Sequence, residues 1–260
     1  MFRAMHRFNS GGVDIAYDIE GEGPPVLLIH GFASNGRVNW VDTGWVKTLV
    51  EAGHKVITID NRGHGESGKL YDPASYSAAE MAEDARRLLD HLGIRQADVM
   101  GYSMGARIAA FLTIRHPERV RRAVFAGLAS RMITGVGGSA EIAEGLEAAR
   151  SADVTDPGAR AFRLFAEQTK SDLLALAACI RSSRVKITAE DLATIKVPVL
   201  VAAGEKDDIA GDVQTLVNAI PGAEGVVIPR RNHMNAVGDR VYKEAVVSFL
   251  SDGQGHVAGL

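Results

Sequence analysis

The stretch ADVMGYSMGARIAAFLTI, residues 97–114, contains the pattern G-x-S-x-G with Ser103 at its centre. An apolar run typical of a strand leads into the pattern, and a run typical of a helix follows it. Such a tight strand-to-helix turn holds its serine in a strained backbone conformation, and small glycines are needed where neighbouring chain passes close. We therefore expect the Ser103 hydroxyl to project above the end of a sheet.

A serine hydroxyl is a weak nucleophile unless a base takes its proton, and the base needs an anion that fixes its tautomer. Downstream, the predicted strand in VPVLVAAGEKDD is followed by Asp207 and Asp208, and the next predicted strand is followed by His233. His116 precedes a proline and His256 falls in a predicted C-terminal tail, so His233 is the strongest candidate base. The residues alone leave both aspartates open as the anion.

Short strand patterns alternate with helical patterns along most of the chain, which is typical of an α/β fold with a parallel sheet. The first two predicted strands, in VDIAYDIEG and PVLLIHG, have no helix between them and predict an antiparallel start. A chain of 260 residues that is 46% hydrophobic can bury one substantial core. We expect one domain with an insertion.

The insertion covers residues 129–196, between core segments 1–128 and 197–260. It has no strand pattern and contains several amphipathic helical patterns. Helices of this kind turn one apolar face towards a pocket and the other towards water. The insertion mixes large apolar side chains with several arginines, and these apolar side chains include Phe162, Leu164, Phe165, Leu173, Leu174 and Leu176.

A second glycine-rich stretch, RGHGESGKL at residues 62–70, fits G-x-G-x-x-G and most of a phosphate-binding loop. A dinucleotide site requires its glycines to pass straight into a helix. Here Pro73 intervenes, and helical periodicity begins only near Ser77. The hydroxyl residue that would bind magnesium after Lys69 is replaced by Leu70. The stretch is therefore interpreted as a structural loop.

Composition argues against several other classes of protein. A net charge of −3 and a pI near 6.2 give no basic surplus for nucleic acid. The single cysteine, Cys179, allows no intrachain disulfide and is expected to be a small buried hydrophobe. No apolar run suits a leader or a membrane span, so a cytoplasmic protein that binds neither membranes nor nucleic acid is expected. No cluster has the spacing of metal ligands.

Five motifs together resemble the α/β-hydrolase family: HGFASN at residues 30–35, DNRGHGESG at 60–68, GYSMG at 101–105, GEKD at 204–207, and the NH dipeptide that ends at His233. The likeness covers almost the whole chain. It implies a mostly parallel central sheet with helices on both faces, and a helical lid at residues 129–196. It also implies that the glycine-rich loop is a structural element at the edge of the pocket.

The resemblance assigns a role to each candidate residue. Ser103 would be the nucleophile, His233 the general base and acid, and Asp207, which fits the family's G-x-x-D turn, the orienting carboxylate. The backbone N–H groups of Phe32 and Met104 would form the oxyanion hole. No cofactor and no metal are implied.

Ester hydrolysis through an acyl-enzyme on Ser103 is the expected reaction, with a small-molecule ester of a small to medium acyl group as the substrate. Carbon-carbon bond hydrolases acting on dienone acids, lactonases and perhydrolases share this triad, and basic pocket residues that bind a carboxylate would favour the first. A slow-turnover small-molecule receptor of the same fold is a further alternative. The serine argues against dehalogenases and epoxide hydrolases, which use aspartate. A monomer or small homo-oligomer is expected.

Overall fold

Eight strands form one sheet in the computed structural model, which describes residues 5–251. The sheet order is β1-β2-β4-β3-β5-β6-β7-β8, and every neighbouring pair from β4 onwards in that order is parallel. The predicted C-terminal tail with His256 lies outside the described residues. The strands are β1 His6–Ser10, β2 Val13–Glu20, β3 Pro25–Ile29, β4 Lys55–Ile59, β5 Ala97–Tyr102, β6 Val120–Ala126, β7 Val199–Gly204 and β8 Glu224–Ile228.

Ten α-helices connect or flank these strands within residues 5–251. None of them is long and apolar enough to cross a bilayer. Helical turns of other types occur at Arg37–Val41, Pro73–Tyr76, Pro117–Arg119 and Ser151–Asp153. The α-helices are α1 Trp45–Glu51, α2 Ala78–His91, α3 Met104–Arg115, α4 Arg131–Thr134, α5 Ser139–Glu147, α6 Pro157–Gln168, α7 Leu173–Ser182, α8 Ala189–Leu192, α9 Val213–Ala219 and α10 Arg240–Ser251.

Two separate apolar cores lie on opposite faces of the sheet. Helices α2, α3 and α9 contribute to one core, and helices α1 and α10 contribute to the other. In the second core, the Trp45 and Tyr242 rings meet edge to face at 4.7 Å between centroids. Both faces are apolar because side chains on the central strands alternate between them. The predicted parallel sheet with helices on both faces is therefore confirmed.

The antiparallel start and the two predicted strands, β2 and β3, are present, but the pairing of these strands was not predicted correctly. Strand β1, which the sequence patterns did not reveal, pairs antiparallel with β2, and β2 then pairs antiparallel with β4. Strand β3 does not pair with β2 and lies between β4 and β5. Only Phe8 and Ser10 of the five β1 residues are buried, so β1 has little apolar periodicity to detect.

Residues 129–196 contain helices α4 to α8, and the structure assigns no strand to this segment. Three hydrogen bonds fix it to loops that follow β3 and β4. Thr169 Oγ1 donates to the Ala33 carbonyl at 3.0 Å, Tyr71 Oη donates to Asp172 at 2.9 Å, and the Ser182 hydroxyl donates to a backbone carbonyl of the second loop. These contacts hold the helical insertion at the carboxyl end of the sheet. Cys179 is fully buried within it.

The glycine-rich loop after β4 is built around the carboxylate of Asp60. This carboxylate accepts the backbone N–H groups of Gly36 at 2.7 Å and Glu66 at 2.8 Å. Gly65 has a φ of 46°, and a Cβ there would overlap the same carboxylate. Lys69 donates to three backbone carbonyls of the loop. The glycines and the lysine thus serve the turn itself, in agreement with its interpretation as a structural loop.

Candidate active site

Ser103 lies at the turn between β5 and α3, with φ 57° and ψ −114°. A non-glycine residue in this region costs about 1 to 3 kcal/mol, so the surrounding chain must hold it in place. Its N–H donates to the Ala126 carbonyl of β6 at 2.7 Å. A Cβ at Gly101 would overlap the Gly105 backbone, and one at Gly105 would overlap the Ile29 carbonyl. The close approach of three chain segments explains the two glycines of the motif.

A hydrogen-bonded series joins Ser103, His233 and Asp207. The Ser103 Oγ lies 3.0 Å from His233 Nε2, and His233 Nδ1 lies 2.8 Å and 3.0 Å from the two Asp207 carboxylate oxygens. Asp207 Oδ1 also accepts the N–H groups of Ile209 and Ala210 at 3.0 Å and 2.9 Å. The three predicted side chains therefore meet with the geometry in which a carboxylate orients a histidine towards a hydroxyl.

The structure separates the two adjacent aspartates that the residue pattern left open. Asp207 is buried and faces His233, whereas Asp208 is exposed. The turn after β7 sets this register, because the Asp207 N–H donates to the Gly204 carbonyl at 3.0 Å. The loop that carries His233 is also held by Tyr102, whose hydroxyl donates to the His233 carbonyl at 2.6 Å.

Phe32 and Met104 carry the backbone N–H groups that are expected to form the oxyanion hole. Both residues line one cavity with Ser103, and neither N–H donates a hydrogen bond to an atom of the described chain. Met104 is the first residue of α3, where N–H groups have no partner within the helix. Sequence reasoning missed Asn39, whose buried Oδ1 accepts the Gly31 N–H at 3.0 Å and so fixes the loop that carries Phe32.

Two buried histidines, His30 and His64, pack beside the loop that carries Phe32. His30 Nε2 accepts the Asn61 N–H at 3.0 Å, so Nδ1 carries the proton and donates to the Gly31 carbonyl at 2.7 Å. His64 lies beside it, with ring centroids 5.2 Å apart. Burial lowers the pKa of His30 to about 4 and that of His64 to about 3. Both rings are therefore neutral at pH 7, and both are fully buried beneath the candidate site.

We expect acid to destabilise the protein through these two histidines. Their pKa values are below the ordinary 6.5, so the unfolded chain takes up protons first as pH falls, and stability is lost from about pH 6.5 towards about pH 4. Each histidine should lower the free energy of unfolding by about 1 to 2 kcal/mol between roughly pH 6.5 and pH 5. Urea unfolding at several pH values across this range measures the loss. In His64→Gln, the free energy of unfolding should fall less steeply with decreasing pH than in the wild type. Stability that is flat with pH would contradict the prediction.

A cavity of about 640 Å³ opens beside Ser103. Most of its wall is apolar, and α6 of the insertion contributes Phe162, Leu164 and Phe165. The Phe162 ring packs edge to face on Phe32 at 5.7 Å between centroids. The other three apolar residues that the sequence analysis named in the insertion, Leu173, Leu174 and Leu176, do not line this cavity. Among residues 5–251, no group of three or more histidine, cysteine or carboxylate side chains could hold a metal ion.

Two arginines, Arg107 and Arg184, also line the cavity, and no Asp or Glu side chain does so among the described residues. Sequence reasoning noted arginines in the insertion but did not identify Arg107. Arg107 follows Ser103 by four residues at the start of α3, so it lies one helical turn beyond the serine on the same side of the helix. This four-residue spacing is the feature of the sequence from which Arg107 could have been identified as a residue near the site.

Comparison with known proteins identifies the family. A family model described as alpha/beta hydrolase fold matches residues 24–160. The 2-hydroxymuconate semialdehyde hydrolase of Pseudomonas putida is 41% identical to this chain over 130 residues, which cover 50% of this chain and 43% of that protein. The match thus spans less than half the length of this curated relative.

Solved structures resemble the chain over nearly its whole length. A hydrolase from Pseudomonas aeruginosa PA01 has a TM-score of 0.78 at 25% identity and covers 95% of this chain and 98% of its own. An esterase from Exiguobacterium antarcticum has a TM-score of 0.80 at 20% identity, covering 96% of this chain and all of its own, and shows the shared fold. The α/β-hydrolase fold expected from the sequence motifs is confirmed.

Proposed function

The chain belongs to the alpha/beta hydrolase fold family, and on that premise we propose that it is a serine hydrolase that cleaves carboxylic esters of small to medium acyl groups. The hydrogen-bonded series from Ser103 through His233 to Asp207, at the wall of an apolar cavity, carries the proposal. A serine hydroxyl in contact with an oriented imidazole suits attack on a carbonyl carbon.

In the proposed acylation step, His233 Nε2 takes the Ser103 proton as Oγ attacks the ester carbonyl. Asp207 accepts from Nδ1 and stabilises the imidazolium that forms. The N–H groups of Phe32 and Met104 would donate to the oxygen that becomes negative. One such donor typically contributes about 3 to 4 kcal/mol to transition-state stabilisation.

Collapse of the tetrahedral intermediate breaks the bond to the alcohol, which leaves with the proton from His233. The acyl group stays on Ser103 as an ester. A water molecule then gives its proton to His233 as it attacks this ester, and the acid product leaves with the serine restored. The same five groups thus serve both half-reactions, and every step uses only residues of this chain and water.

We also propose that residues 129–196 act as a lid on a core formed by residues 1–128 and 197–260. Helix α6 supplies part of the cavity wall, and Thr169 ties its end to the loop that carries Phe32. A wall of this kind encloses a compact apolar space beside the serine.

We expect short and medium acyl esters, of about 2 to 8 carbons, to be preferred over long-chain triglycerides, because each added methylene contributes about 0.8 kcal/mol only while the cavity has room for it. The value of kcat/KM should therefore rise by about fourfold for each added methylene and then level off or fall. The measurement is kcat/KM against acyl length with soluble p-nitrophenyl esters, together with turnover of emulsified triolein. A rate that keeps climbing beyond about 12 carbons, or that jumps at the oil interface, would contradict the closed cavity.

Carbon-carbon bond hydrolysis is the second candidate. The relative from Pseudomonas putida is named for 2-hydroxymuconate semialdehyde, and two basic side chains line the cavity. The discriminating experiment supplies 2-hydroxymuconate semialdehyde and p-nitrophenyl butyrate to the same preparation. Faster kcat/KM for the ester supports the first candidate, and faster kcat/KM for the semialdehyde supports the second. Tight binding without turnover of either would indicate a receptor.

A further inference from the structure

Arg107 differs from the other buried arginines of the described chain in lacking a carboxylate partner. Arg62 donates to Asp84 at 2.7 Å, and Arg163 donates to Glu167 at 2.8 Å. Arg107 is only 2% exposed, and no acidic side chain of the described residues lies within ion-pair distance of it. Buried charges in proteins are normally paired because desolvation is costly. The exception lies in the wall of the cavity that holds Ser103.

Only one of the three guanidinium nitrogens of Arg107 donates hydrogen bonds within the described chain. Its Nη1 donates to the backbone carbonyls of Met132 and Val185, and within residues 5–251 its Nε and Nη2 make no hydrogen bond. Arg184 is similar, since its Nη1 donates to the Gly137 carbonyl and its other nitrogens have no partner in the described chain. The backbone thus holds both groups in place while each retains unused donors.

The two guanidinium groups add positive charge to a cavity wall without acidic residues. Burial lowers the pKa of Arg184 to about 10, and burial together with the nearby charge of Arg184 lowers that of Arg107 to about 10. Both therefore stay protonated at pH 7. Two like charges in a poorly solvated wall repel each other, and a bound anion would offset this repulsion by its attraction to both. A carboxylate would match both, because its two oxygens accept from guanidinium donors.

We propose that Arg107 and Arg184 form a subsite that binds a carboxylate carried by the substrate itself. The inference rests on the proposed function, in which the substrate of Ser103 occupies this cavity. Four helical residues advance about 6 Å, so the carboxylate would lie a few methylenes from the reacting carbonyl. The substrate class is then a monoester of a dicarboxylic acid, or another acyl compound with a free carboxylate at that distance. Such a subsite suits an ester substrate with a free carboxylate, and it also suits the dienone acids of the second candidate function.

Binding to Ser103→Ala tests the subsite without requiring turnover. Calorimetry compares monomethyl esters of succinate, glutarate, adipate and suberate with their dimethyl esters, which have the same chains but no charge. For at least one chain length, the monomethyl ester should bind about tenfold tighter or more. In Arg184→Gln and Arg107→Gln backgrounds, this ratio should fall to within about twofold of unity.

Arg181→Gln is the matched control, because Arg181 lies in the same insertion but is exposed and paired with Glu147. It should keep the tenfold ratio. Arg184→Gln keeps the test decisive if Arg107→Gln does not fold, since Arg184 is only half-buried. Equal affinity of charged and neutral esters at every length, or a ratio that both arginine variants retain, would overturn the subsite. A tenfold preference for the monomethyl ester that both arginine variants lose, in a protein whose wild type cleaves no ester, would overturn the proposed reaction and leave the subsite standing.

Discussion

Replacement of Ser103 by alanine is expected to lower ester hydrolysis by about 10⁴-fold to 10⁶-fold, because no other group would attack the carbonyl. The fold should persist, since alanine fits the φ of 57° no worse than serine and the Ser103 hydroxyl hydrogen-bonds only to His233 among the described residues. The measurement is kcat/KM with p-nitrophenyl butyrate, with circular dichroism and thermal melting on the same samples.

Ser183→Ala provides the matched control for this variant. Ser183 is also a buried serine in the cavity wall, and its hydroxyl has no hydrogen-bond partner within residues 5–251. Its replacement should change kcat/KM by no more than about threefold. Turnover that survives in Ser103→Ala and is lost in Ser183→Ala would place the nucleophile elsewhere.

Asp207→Asn should lower kcat by about 10⁴-fold, the size of this effect in other Ser-His-Asp enzymes. The amide oxygen can keep the N–H groups of Ile209 and Ala210, which leaves the amide nitrogen facing His233 Nδ1. A donor there requires Nδ1 to accept, so the proton moves to Nε2. His233 could then no longer take the proton of Ser103.

The neighbouring carboxylate provides the control for Asp207→Asn. Asp208 carries the same charge and is exposed, so Asp208→Asn should stay within about twofold of wild type. Comparable losses in the two variants would mean that negative charge near the histidine matters, and that the hydrogen bond to Nδ1 does not. A loss in Asp208→Asn alone would reverse the assignment of the two residues.

Most of the sheet could be predicted from the sequence because its central strands are apolar runs with helices between them. Strand β1 was missed because it buries only Phe8 and Ser10, and the position of β3 was not predicted because apolar patterns do not report which strands pair. Ser103 was found because its motif requires two glycines where chain segments meet. His233 was located by its place after a strand, and Asp207 was distinguished from Asp208 only through the family's G-x-x-D turn.

The lining of the cavity was much harder to predict. Asn39 acts through a single hydrogen bond to Gly31, and no local pattern marks such a residue. Arg107 and Arg184 are 77 positions apart and meet only because the insertion folds back over α3. A lone arginine in an amphipathic helix is ordinarily a solvated or ion-paired side chain. The absence of an acidic partner, which distinguishes Arg107, is visible only in three dimensions.

Trapping of the acyl-enzyme tests the central proposal most directly. Wild-type protein is mixed with p-nitrophenyl butyrate, quenched in acid during turnover and digested for peptide mass spectrometry, with Ser103→Ala treated in parallel. We expect a butyryl group on the peptide that contains Ser103, at the hydroxyl 3.0 Å from His233 Nε2. The alanine variant should carry none and should release no p-nitrophenol above background. A butyryl group on another residue, or rapid release of p-nitrophenol by Ser103→Ala, would contradict the proposal.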